Sequence, residues 1–302
     1  MIDAAPVTAR LYNAHYLIHK RMTTTVASNG ARDRERLRHH YEVEKALAAR
    51  LRAAPRSERL HMLTALYEEL FREVPDHPRL TRKQTPEASR RDVMAQMQFL
   101  RRFLRPEITL LEIGPGDCAL SFEVARSVRR VYAVDVDAVL TRNARPPLNF
   151  QLFLSDGVSV PVPAGSVHLA YSNQLMEHLH PDDAREQLRN IFAAIAPGGV
   201  YVCLTPNRLN GPHDISANFS DEAEGFHLKE YTITELEALF LETGFRSVAA
   251  YARTKGLWLR VPVRFIEALE ALLQRVPARR RRAIADRWPL RPLLNAALVA
   301  MR

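Results

Sequence analysis

The chain has 302 residues, of which 47% are hydrophobic and 25% are charged. This composition is typical of a folded globular protein and excludes an intrinsically disordered chain. No apolar stretch approaches the roughly 18 residues that span a bilayer, and charged residues interrupt the first 22 positions, so we expect neither a transmembrane helix nor a signal peptide. The two cysteines, Cys118 and Cys203, predict no disulfide framework, and a reduced, cytoplasmic setting fits best.

The formal net charge is +9 and comes mostly from arginine. Such a balance can indicate binding to nucleic acid or to an anionic membrane. The positive residues are spread along the chain and are not interleaved with aromatic residues. An ordinary solvated surface is therefore the preferred interpretation.

Residues 1–105 carry helical patterns and very few strand signals. Apolar residues recur at three- and four-residue spacing over 40–53, over 63–71 and from Val93 to Leu104. Thr85-Pro86-Glu87 looks like a helix start, with a hydroxyl cap, a proline and an early acid. We predict a helical N-terminal region over 1–105 that acts as a cap on a pocket or as a homodimer contact.

Residues 107–253 alternate short apolar runs with helical segments. The runs predicted as strands are Thr109–Ile113, Val131–Val134, Phe150–Leu154, Val167–Tyr171, Val200–Leu204 and Arg246–Ala252. This alternation predicts a parallel sheet covered by helices on both faces. The one long connection, Pro206–Lys229, is polar, and loops of this length in compact domains are often functional.

The region that begins near residue 254 is predicted to be helical. An apolar face from Val263 to Leu273 is followed by the basic run Arg279–Arg282. Packing of an ordinary helix on the core is the preferred interpretation, and peripheral membrane contact through 260–285 is the alternative. The last residues, 294–302, suit either a strand or a helix.

The segment Gly114-Pro115-Gly116 joins an apolar strand to a helix. Glycine lets a ligand approach the main chain, and doubly wound sheets bind ligands at such a strand end. The segment also satisfies the Gly-x-Gly-x-x-Ala form of a dinucleotide fingerprint, so a dehydrogenase is an alternative at this point.

Polar residues follow the next strands. Asp135 ends the second strand, where a carboxylate can accept hydrogen bonds from ribose hydroxyls. Asp156-Gly157 ends the third strand, where a carboxylate can reach an adenine amino group. Asn173 follows the fourth strand, and Pro197-Gly198-Gly199 forms a turn into the fifth.

Taken in order, Glu112-x-Gly114-x-Gly116, Asp135, Asp156 and Pro197-Gly198-Gly199 resemble the class I S-adenosylmethionine-dependent methyltransferases over residues 107–253. The resemblance implies an α/β fold, a doubly wound, seven-stranded Rossmann-like sheet whose final strand is antiparallel. It therefore assigns the end of the chain as that strand, 254–290 as a helical insertion before it, and 106–302 as the methyltransferase domain. Together with the position of the glycines after a hundred residues, these motifs argue against a dehydrogenase.

The resemblance also implies roles in binding S-adenosyl-L-methionine and its product S-adenosyl-L-homocysteine. The implied residues are Glu112, Gly114, Pro115, Gly116 and Asn173 for the methionine and ribose part, Asp135 for the ribose hydroxyls, and Val136, Asp156 and Gly157 for the adenine.

The segment after the fourth strand is similar to the branch that contains ubiquinone-biosynthesis O-methyltransferases and small-RNA 2′-O-methyltransferases. That branch has Glu-x-x-Glu-His here and a later histidine, which together hold a divalent metal. Glu177, His178 and His227 match, but Gln174 replaces the first glutamate. The lost anionic oxygen weakens the case for a metal. We predict His178 or His227 as the base or the group that positions the acceptor.

Other histidines in this part of the chain receive ordinary interpretations. His180 precedes a proline and is interpreted as loop structure, and His213-Asp214 as an exposed turn rather than a base pair on a lid.

The leading functional hypothesis is O-methylation of a small-molecule acceptor. Methylation of RNA is supported by the charge and opposed by the lack of an RNA-binding module. A protein of this fold without catalysis is the third hypothesis, and Gln174 supports it.

Overall fold

Eight strands form one mixed sheet in the computed structural model, which describes residues 33–78, 86–136 and 145–302. The strands are β1 (Thr109–Ile113), β2 (Arg130–Asp135), β3 (Phe150–Leu154), β4 (Val167–Asn173), β5 (Ile195–Leu204), β6 (Ser247–Thr254), β7 (Leu257–Val261) and β8 (Ala297–Met301). Their order across the sheet is β3-β2-β1-β4-β5-β8-β6-β7. Strands β1 to β5 pair in parallel, so their carboxyl ends lie along one edge.

The end of the chain forms the antiparallel strand that the resemblance implied. β8 lies between β5 and β6 and is antiparallel to both. The expected count of seven strands is wrong by one, because β7 folds back on β6 as a hairpin. Lys255 and Gly256 make that turn with φ values of 46° and 82°, and positive φ at both central residues is the conformation of a tight two-residue hairpin.

Nine α-helices accompany the sheet in the described ranges. They are α1 (Arg34–Ala53), α2 (Arg56–Glu73), α3 (Pro86–Leu100), α4 (Ala119–Val124), α5 (Pro181–Ala194), α6 (Ile233–Thr243), α7 (Val263–Gln274), α8 (Ala278–Ala285) and α9 (Leu290–Leu294). The interval 254–290, expected to be helical, thus begins with β7 rather than a helix. The expected cap Thr85 lies outside the described residues.

Helices cover both faces of the sheet. β1 is buried at every position, as expected for a central parallel strand. Its neighbouring residues Leu110 and Leu111 belong to different clusters, because successive side chains of a strand point to opposite faces. Leu110 packs in the cluster that contains residues of α3 and α4, and Leu111 packs in the cluster that contains residues of α5 and α6.

The N-terminal hairpin of α1 and α2 has its own core. Leu47, Leu51, Leu66 and Leu70 form this cluster together with Phe226, a residue of the long loop after β5. A buried ion pair joins α2 to α5, where Arg59 donates to both carboxylate oxygens of Asp183 over 2.8 Å each. The hairpin is therefore fixed to the loop and to a helix of the sheet domain.

The helices after β7 present apolar and basic side chains to solvent. Phe265 and Leu272 of α7 are 57% and 61% exposed. Arg279 and Arg280 of α8, the next helix along the chain, are also exposed. Peripheral membrane contact through 260–285 stays a prediction. Among the helices that the structure describes, none is both long and apolar enough to cross a bilayer.

Candidate active site and cofactor loop

The loop after β1 is wound in left-handed conformations. Gly114, Gly116 and Cys118 have φ values of 69°, 59° and 57°. The Gly114 amide donates to the main-chain oxygen of Val134 over 2.9 Å, which holds the loop against the end of β2. The Gly-x-Gly sequence is needed because an L-residue with a side chain adopts this conformation only at a cost.

Asp135 closes the loop from the neighbouring strand. One carboxylate oxygen accepts a hydrogen bond from the Gly116 amide over 3.3 Å, and the other accepts from the Val136 amide over 2.7 Å. The group is half-buried at the edge where the parallel strands end. Glu112 lies beneath the loop, almost fully buried, and accepts from Ser121 Oγ over 2.5 Å. It therefore braces α4 against β1.

The residues assigned to adenine meet across the ends of β2 and β3. A Cβ atom on Gly157 would lie 3.4 Å from Val136 Cγ1, so these two residues face each other. The exposed Asp156 carboxylate turns into its own loop and accepts hydrogen bonds from the Val158 and Ser159 amides over 2.9 and 2.6 Å. Burial opposes the charged form, but these hydrogen bonds outweigh it and hold the pKa of Asp156 below its ordinary value.

Asn173, at the end of β4, contacts the N-terminal part of the chain through Gln96 of α3. The Asn173 amide and the Tyr171 hydroxyl both donate to Gln96 Oε1, over 3.3 and 2.8 Å. Gln96 was not among the residues singled out from the sequence, since it carries no motif signal of its own. Together Gly114, Gly116, Asp135 and Val136, with Gly157 opposite, border one recess at the carboxyl edge of the sheet.

A second group of polar residues lies beside this recess. Glu177 and His178 occupy a short 3-10 turn after β4, and His227 belongs to the long loop after β5. The ligand atoms of these three residues all lie within 4.8 Å of one another. The Lys229 amide donates to the main-chain oxygen of Glu177 over 3.1 Å, which ties the loop to the turn. The sequence prediction therefore named three residues that the fold brings together.

Hydrogen bonds fix both imidazole rings. His178 Nδ1 lies 3.0 Å from the main-chain oxygen of Phe226, and His227 Nδ1 lies 2.6 Å from Glu230 Oε1. Both partners are acceptors, so each Nδ1 carries a proton and each Nε2 points away from that contact. His227 Nε2 and Glu177 Oε1 are buried, and neither has a hydrogen-bond partner among the described residues.

Buried charges set the protonation of this group. Burial opposes the His227 imidazolium, but the hydrogen bond to Glu230 and the charges of Glu230, Asp214 and Glu177 raise its pKa to about 9. Burial raises the pKa of Glu177 to about 7, against the effect of His227. Burial also opposes the Glu230 carboxylate, yet His213 and His227 hold the pKa of Glu230 well below its usual range. His227 and Glu230 thus form a buried ion pair.

The histidine group touches the cofactor loop through Leu175. A Cβ atom on Gly114 would lie 3.4 Å from Leu175 Cδ1, and the Leu175 carbonyl accepts from the His178 amide over 3.0 Å. Gln174, just before it, has a φ of 57° and donates its amide to the Leu204 carbonyl over 2.7 Å. The bent chain after β4 therefore places the histidines next to the recess.

The N-terminal helix α1 holds the loop that carries His227. Glu44 Oε1 accepts from the Phe226 amide over 3.0 Å, and Arg52 donates to the carbonyls of Glu224, Gly225 and His227 over 3.0, 2.9 and 3.0 Å. Sequence reasoning missed Glu44 and Arg52, since their role depends on contacts with residues more than 170 positions away.

His180 and the segment His213-Asp214, which the sequence analysis interpreted as loop and turn structure, lie in different environments. His180 caps α5 by accepting from the Asp182 amide, in agreement with a structural role. The interpretation of His213-Asp214 as an exposed turn is wrong. Asp214 is 8% exposed and accepts from the Ser216 and Gly225 amides, while His213 Nδ1 lies 3.1 Å from Glu230 Oε2.

A parallel sheet whose central strand ends in a left-handed glycine loop, closed by an acid from the next strand, defines an α/β domain that binds a nucleoside cofactor. A family model described as a methyltransferase domain matches residues 85–250. The match covers more than half of the chain, and the chain belongs to this family. The prediction of a class I S-adenosylmethionine-dependent methyltransferase domain is therefore confirmed, whereas the ubiquinone-biosynthesis subtype stays a prediction.

Curated relatives agree with the family. The chain is 30% identical over 168 residues to a probable S-adenosylmethionine-dependent methyltransferase of Mycobacterium tuberculosis, covering 54% of this chain and 59% of the relative. It is 28% identical over 137 residues to one of Mycolicibacterium smegmatis, covering 45% and 51%. The chain thus spans about half the length of these relatives. A solved S-adenosylmethionine-dependent methyltransferase of Mesorhizobium loti is 17% identical with a TM-score of 0.46, covering 69% of this chain and 98% of that one.

Proposed function

We propose that this chain transfers the methyl group of S-adenosylmethionine to a hydroxyl oxygen of a small-molecule acceptor. The observation that carries the proposal is the convergence of Glu177, His178 and His227 beside the Gly114 loop. Methyl transfer from a sulfonium is a direct displacement, so a protein accelerates it mainly by aligning acceptor, methyl and sulfur. A hydroxyl acceptor also has to lose its proton, which requires a base or an electrophile at this place.

His178 is the residue proposed to take that proton. Its Nδ1–H is held by the Phe226 carbonyl, so its Nε2 lone pair is directed away from that contact. His227 has a different task, because a pKa of about 9 keeps it protonated at neutral pH. An imidazolium paired with Glu230 would stabilise the negative charge that develops on the acceptor oxygen.

In an alternative state, in which His227 has lost its Nε2 proton, the same three residues fit a divalent metal. The buried Glu177 Oε1 and His227 Nε2 have no partner among the described residues, and a shared cation would satisfy both. Each histidine also has the outer hydrogen bond that orients metal-bound imidazoles, from Phe226 and from Glu230. Two histidines and a glutamate are a zinc-type catalytic set, and nothing in this set requires a second carboxylate in place of Gln174. A metal bound there would lower the pKa of the acceptor hydroxyl.

The test has two stages. Calorimetry with S-adenosylhomocysteine and with NAD measures the cofactor preference, and binding of NAD alone would contradict the proposal. Formation of S-adenosylhomocysteine is then followed with catechols, phenols and hydroxy acids as acceptors, in the presence of zinc and after treatment with EDTA. Turnover with one of these classes supports small-molecule O-methylation. Turnover only with RNA, together with salt-dependent RNA affinity, would replace it by the RNA alternative.

Variants separate binding from chemistry. His178→Ala is expected to lower kcat by about 100-fold or more, within the range for a general base. Glu177→Gln removes a charge that acts on His227 and is expected to lower kcat as well. Both variants should leave the affinity for S-adenosylhomocysteine within about 2-fold. The matched control is His61→Ala, which removes an exposed histidine of α2. If cofactor binds and no acceptor class is methylated by the wild-type chain, the hypothesis of a protein without catalysis takes its place.

A further inference from the structure

A second group of metal-type side chains lies in the N-terminal hairpin. His40 and Glu44 are one turn apart on α1, so they share a face of the helix, and His77 follows the end of α2. The three side chains are buried, with exposures of 3%, 7% and 5%. Their ligand atoms all lie within 4.8 Å of one another. None of them takes part in the cofactor recess or in the group formed by Glu177, His178 and His227.

The contacts within this group are close and directional. His40 Nε2 lies 2.9 Å from Glu44 Oε2, and the rings of His40 and His77 meet edge-on with their centroids 4.5 Å apart. Two imidazoles and a carboxylate form a ligand set that suits zinc better than it suits magnesium or calcium. A hydrogen-bonded pair needs only His40 and Glu44; His77, whose ring also meets Phe71 edge-on at 5.2 Å between centroids, brings a third ligand atom to the same point.

Glu44 also has the outer hydrogen bond that metal-binding carboxylates usually have. Its second oxygen, Oε1, accepts from the Phe226 amide over 3.0 Å. Such bonds orient the carboxylate and are typical of metal sites. The carbonyl of the same residue, Phe226, holds His178 Nδ1. Phe226 therefore links His40, Glu44 and His77 to the candidate active site.

The charge around Glu44 favours a cation. Successive amides, those of Gly225 and Phe226, donate to Asp214 and to Glu44, so two buried carboxylates lie side by side. Arg52 and the His227 imidazolium are the nearby cations, and Arg52 also donates to main-chain oxygens of the same loop. A divalent ion on Glu44 Oε2 would offset the remaining repulsion between the two carboxylates, which is costly in a buried setting.

We propose that His40, Glu44 and His77 form a structural divalent-metal site, suited to zinc, in which water completes a tetrahedron. The metal joins α1 to the segment after α2 and fixes the orientation of Glu44 toward Phe226. The site stabilises the hairpin and, through Phe226, the loop that carries His227. It does not depend on which acceptor the protein methylates.

The test uses the full chain, stripped with a chelator and titrated with zinc in a calorimeter. A Glu177→Gln, His178→Ala double variant removes the other cluster, so the remaining zinc site is the one proposed. We expect this background to bind zinc and to melt at a higher temperature with zinc than with EDTA. Adding His77→Ala is expected to weaken zinc binding by about 10- to 100-fold or more and to abolish the zinc-dependent rise in melting temperature. His61→Ala in the same background, an exposed histidine of α2, is expected to change neither.

A second variant identifies His77 as a direct ligand even if His77→Ala folds poorly. His77→Cys keeps a ligand at this position, and with cobalt in place of zinc it is expected to produce a thiolate-to-cobalt charge-transfer band. The unsubstituted background lacks the band, because its cysteines, Cys118 and Cys203, are buried elsewhere. Zinc binding that survives His77→Ala unchanged, or a His77→Cys variant without the band, would overturn the site. Failure of methyl transfer, in contrast, leaves both measurements unaffected.

Discussion

The guanidinium of Arg52 donates a hydrogen bond to the main-chain oxygen of His227 over 3.0 Å, across 175 positions of the chain. The same group reaches the carbonyls of Glu224 and Gly225. A charged donor to several main-chain acceptors is among the stronger hydrogen-bonding arrangements in proteins. The N-terminal helix thus determines where a candidate catalytic histidine lies, although it contributes no residue to the cofactor loop.

Replacing Arg52 should therefore affect turnover more than cofactor binding. Arg52→Ala leaves four loop carbonyls, those of residues 223, 224, 225 and 227, without their donor, and we expect the free energy of unfolding to fall by about 2 kcal/mol. Displacement of His227 is expected to lower kcat by roughly 10- to 100-fold, with S-adenosylhomocysteine affinity within about 2-fold. Arg50→Ala on the same helix is the control, since Arg50 makes an exposed ion pair with Glu69. Equal kcat values for the two variants would argue against the positioning role.

Gly114→Ala tests the cofactor loop. Alanine at a φ of 69° costs about 1–2 kcal/mol, and its Cβ would lie 3.4 Å from Leu175 Cδ1. We expect at least about 10-fold weaker binding of S-adenosylhomocysteine by calorimetry, because the loop amides shift. Gly165→Ala carries a similar backbone penalty at a φ of 64°, yet no described atom lies within 4 Å of its Cβ. That control should lose stability and keep its affinity.

Asp135 and Asp156 are expected to differ in importance. The Asp135 carboxylate closes the glycine loop through the Gly116 amide and is placed to accept from ribose hydroxyls. Asp135→Asn should weaken binding of S-adenosylhomocysteine by about 10-fold or more, since hydrogen bonds to a charged group contribute roughly 1.5–3 kcal/mol. Oδ1 of Asp156 already accepts from the Val158 and Ser159 amides, and Oδ2 accepts from the Ser159 hydroxyl. Asp156→Asn is therefore expected to cost less affinity, and the reverse order would show that its loop reorganises around adenine.

The sheet could be predicted because local sequence determines its strands. β1 and β3 were predicted with their observed bounds, Thr109–Ile113 and Phe150–Leu154, since each is a mainly apolar run before a glycine or an acidic turn. β7 was missed because a short edge strand has one face in solvent, and Leu257 and Leu259 are 63% and 50% exposed. A strand of five residues with little burial leaves a pattern that a helix start shares.

Some residues of the candidate site could likewise be predicted from the local sequence, and others could not. Gly114, Asp135 and the Glu177-His178 pair follow strand ends, so their order along the chain predicts that they meet at one edge. Glu44 has no such signal, because its contact with Phe226 joins residues 182 positions apart. Asp214 was interpreted as exposed from its turn-like sequence, whereas it is buried and caps a short turn that contacts α1. Contacts between separate parts of a chain cannot be read from local patterns.

The pair Glu237 and Glu267 is expected to make the free energy of unfolding depend on pH. These residues lie on α6 and α7, and burial, a hydrogen bond to Glu267 and the charge of Glu267 raise the pKa of Glu237 to about 7. The folded state therefore holds a proton that the unfolded chain releases near its ordinary value of 4.5. The stabilisation is complete below about pH 4.5 and is lost as the pH rises through about 7. Because Glu237 is partly exposed, we expect the effect to stay below about 1 kcal/mol.

Glu237→Gln removes this dependence by keeping a neutral donor beside Glu267. Its melting temperature should change less than that of the wild type between about pH 5 and 8, and it should exceed the wild-type value at the upper end, because repulsion between the two carboxylates is absent. Thermal melts in buffers of equal ionic strength measure both quantities. Glu242→Gln is the matched control, as Glu242 lies on the same helix and makes an exposed ion pair with Arg185. If the two variants follow the same pH profile, the shared proton between α6 and α7 does not contribute.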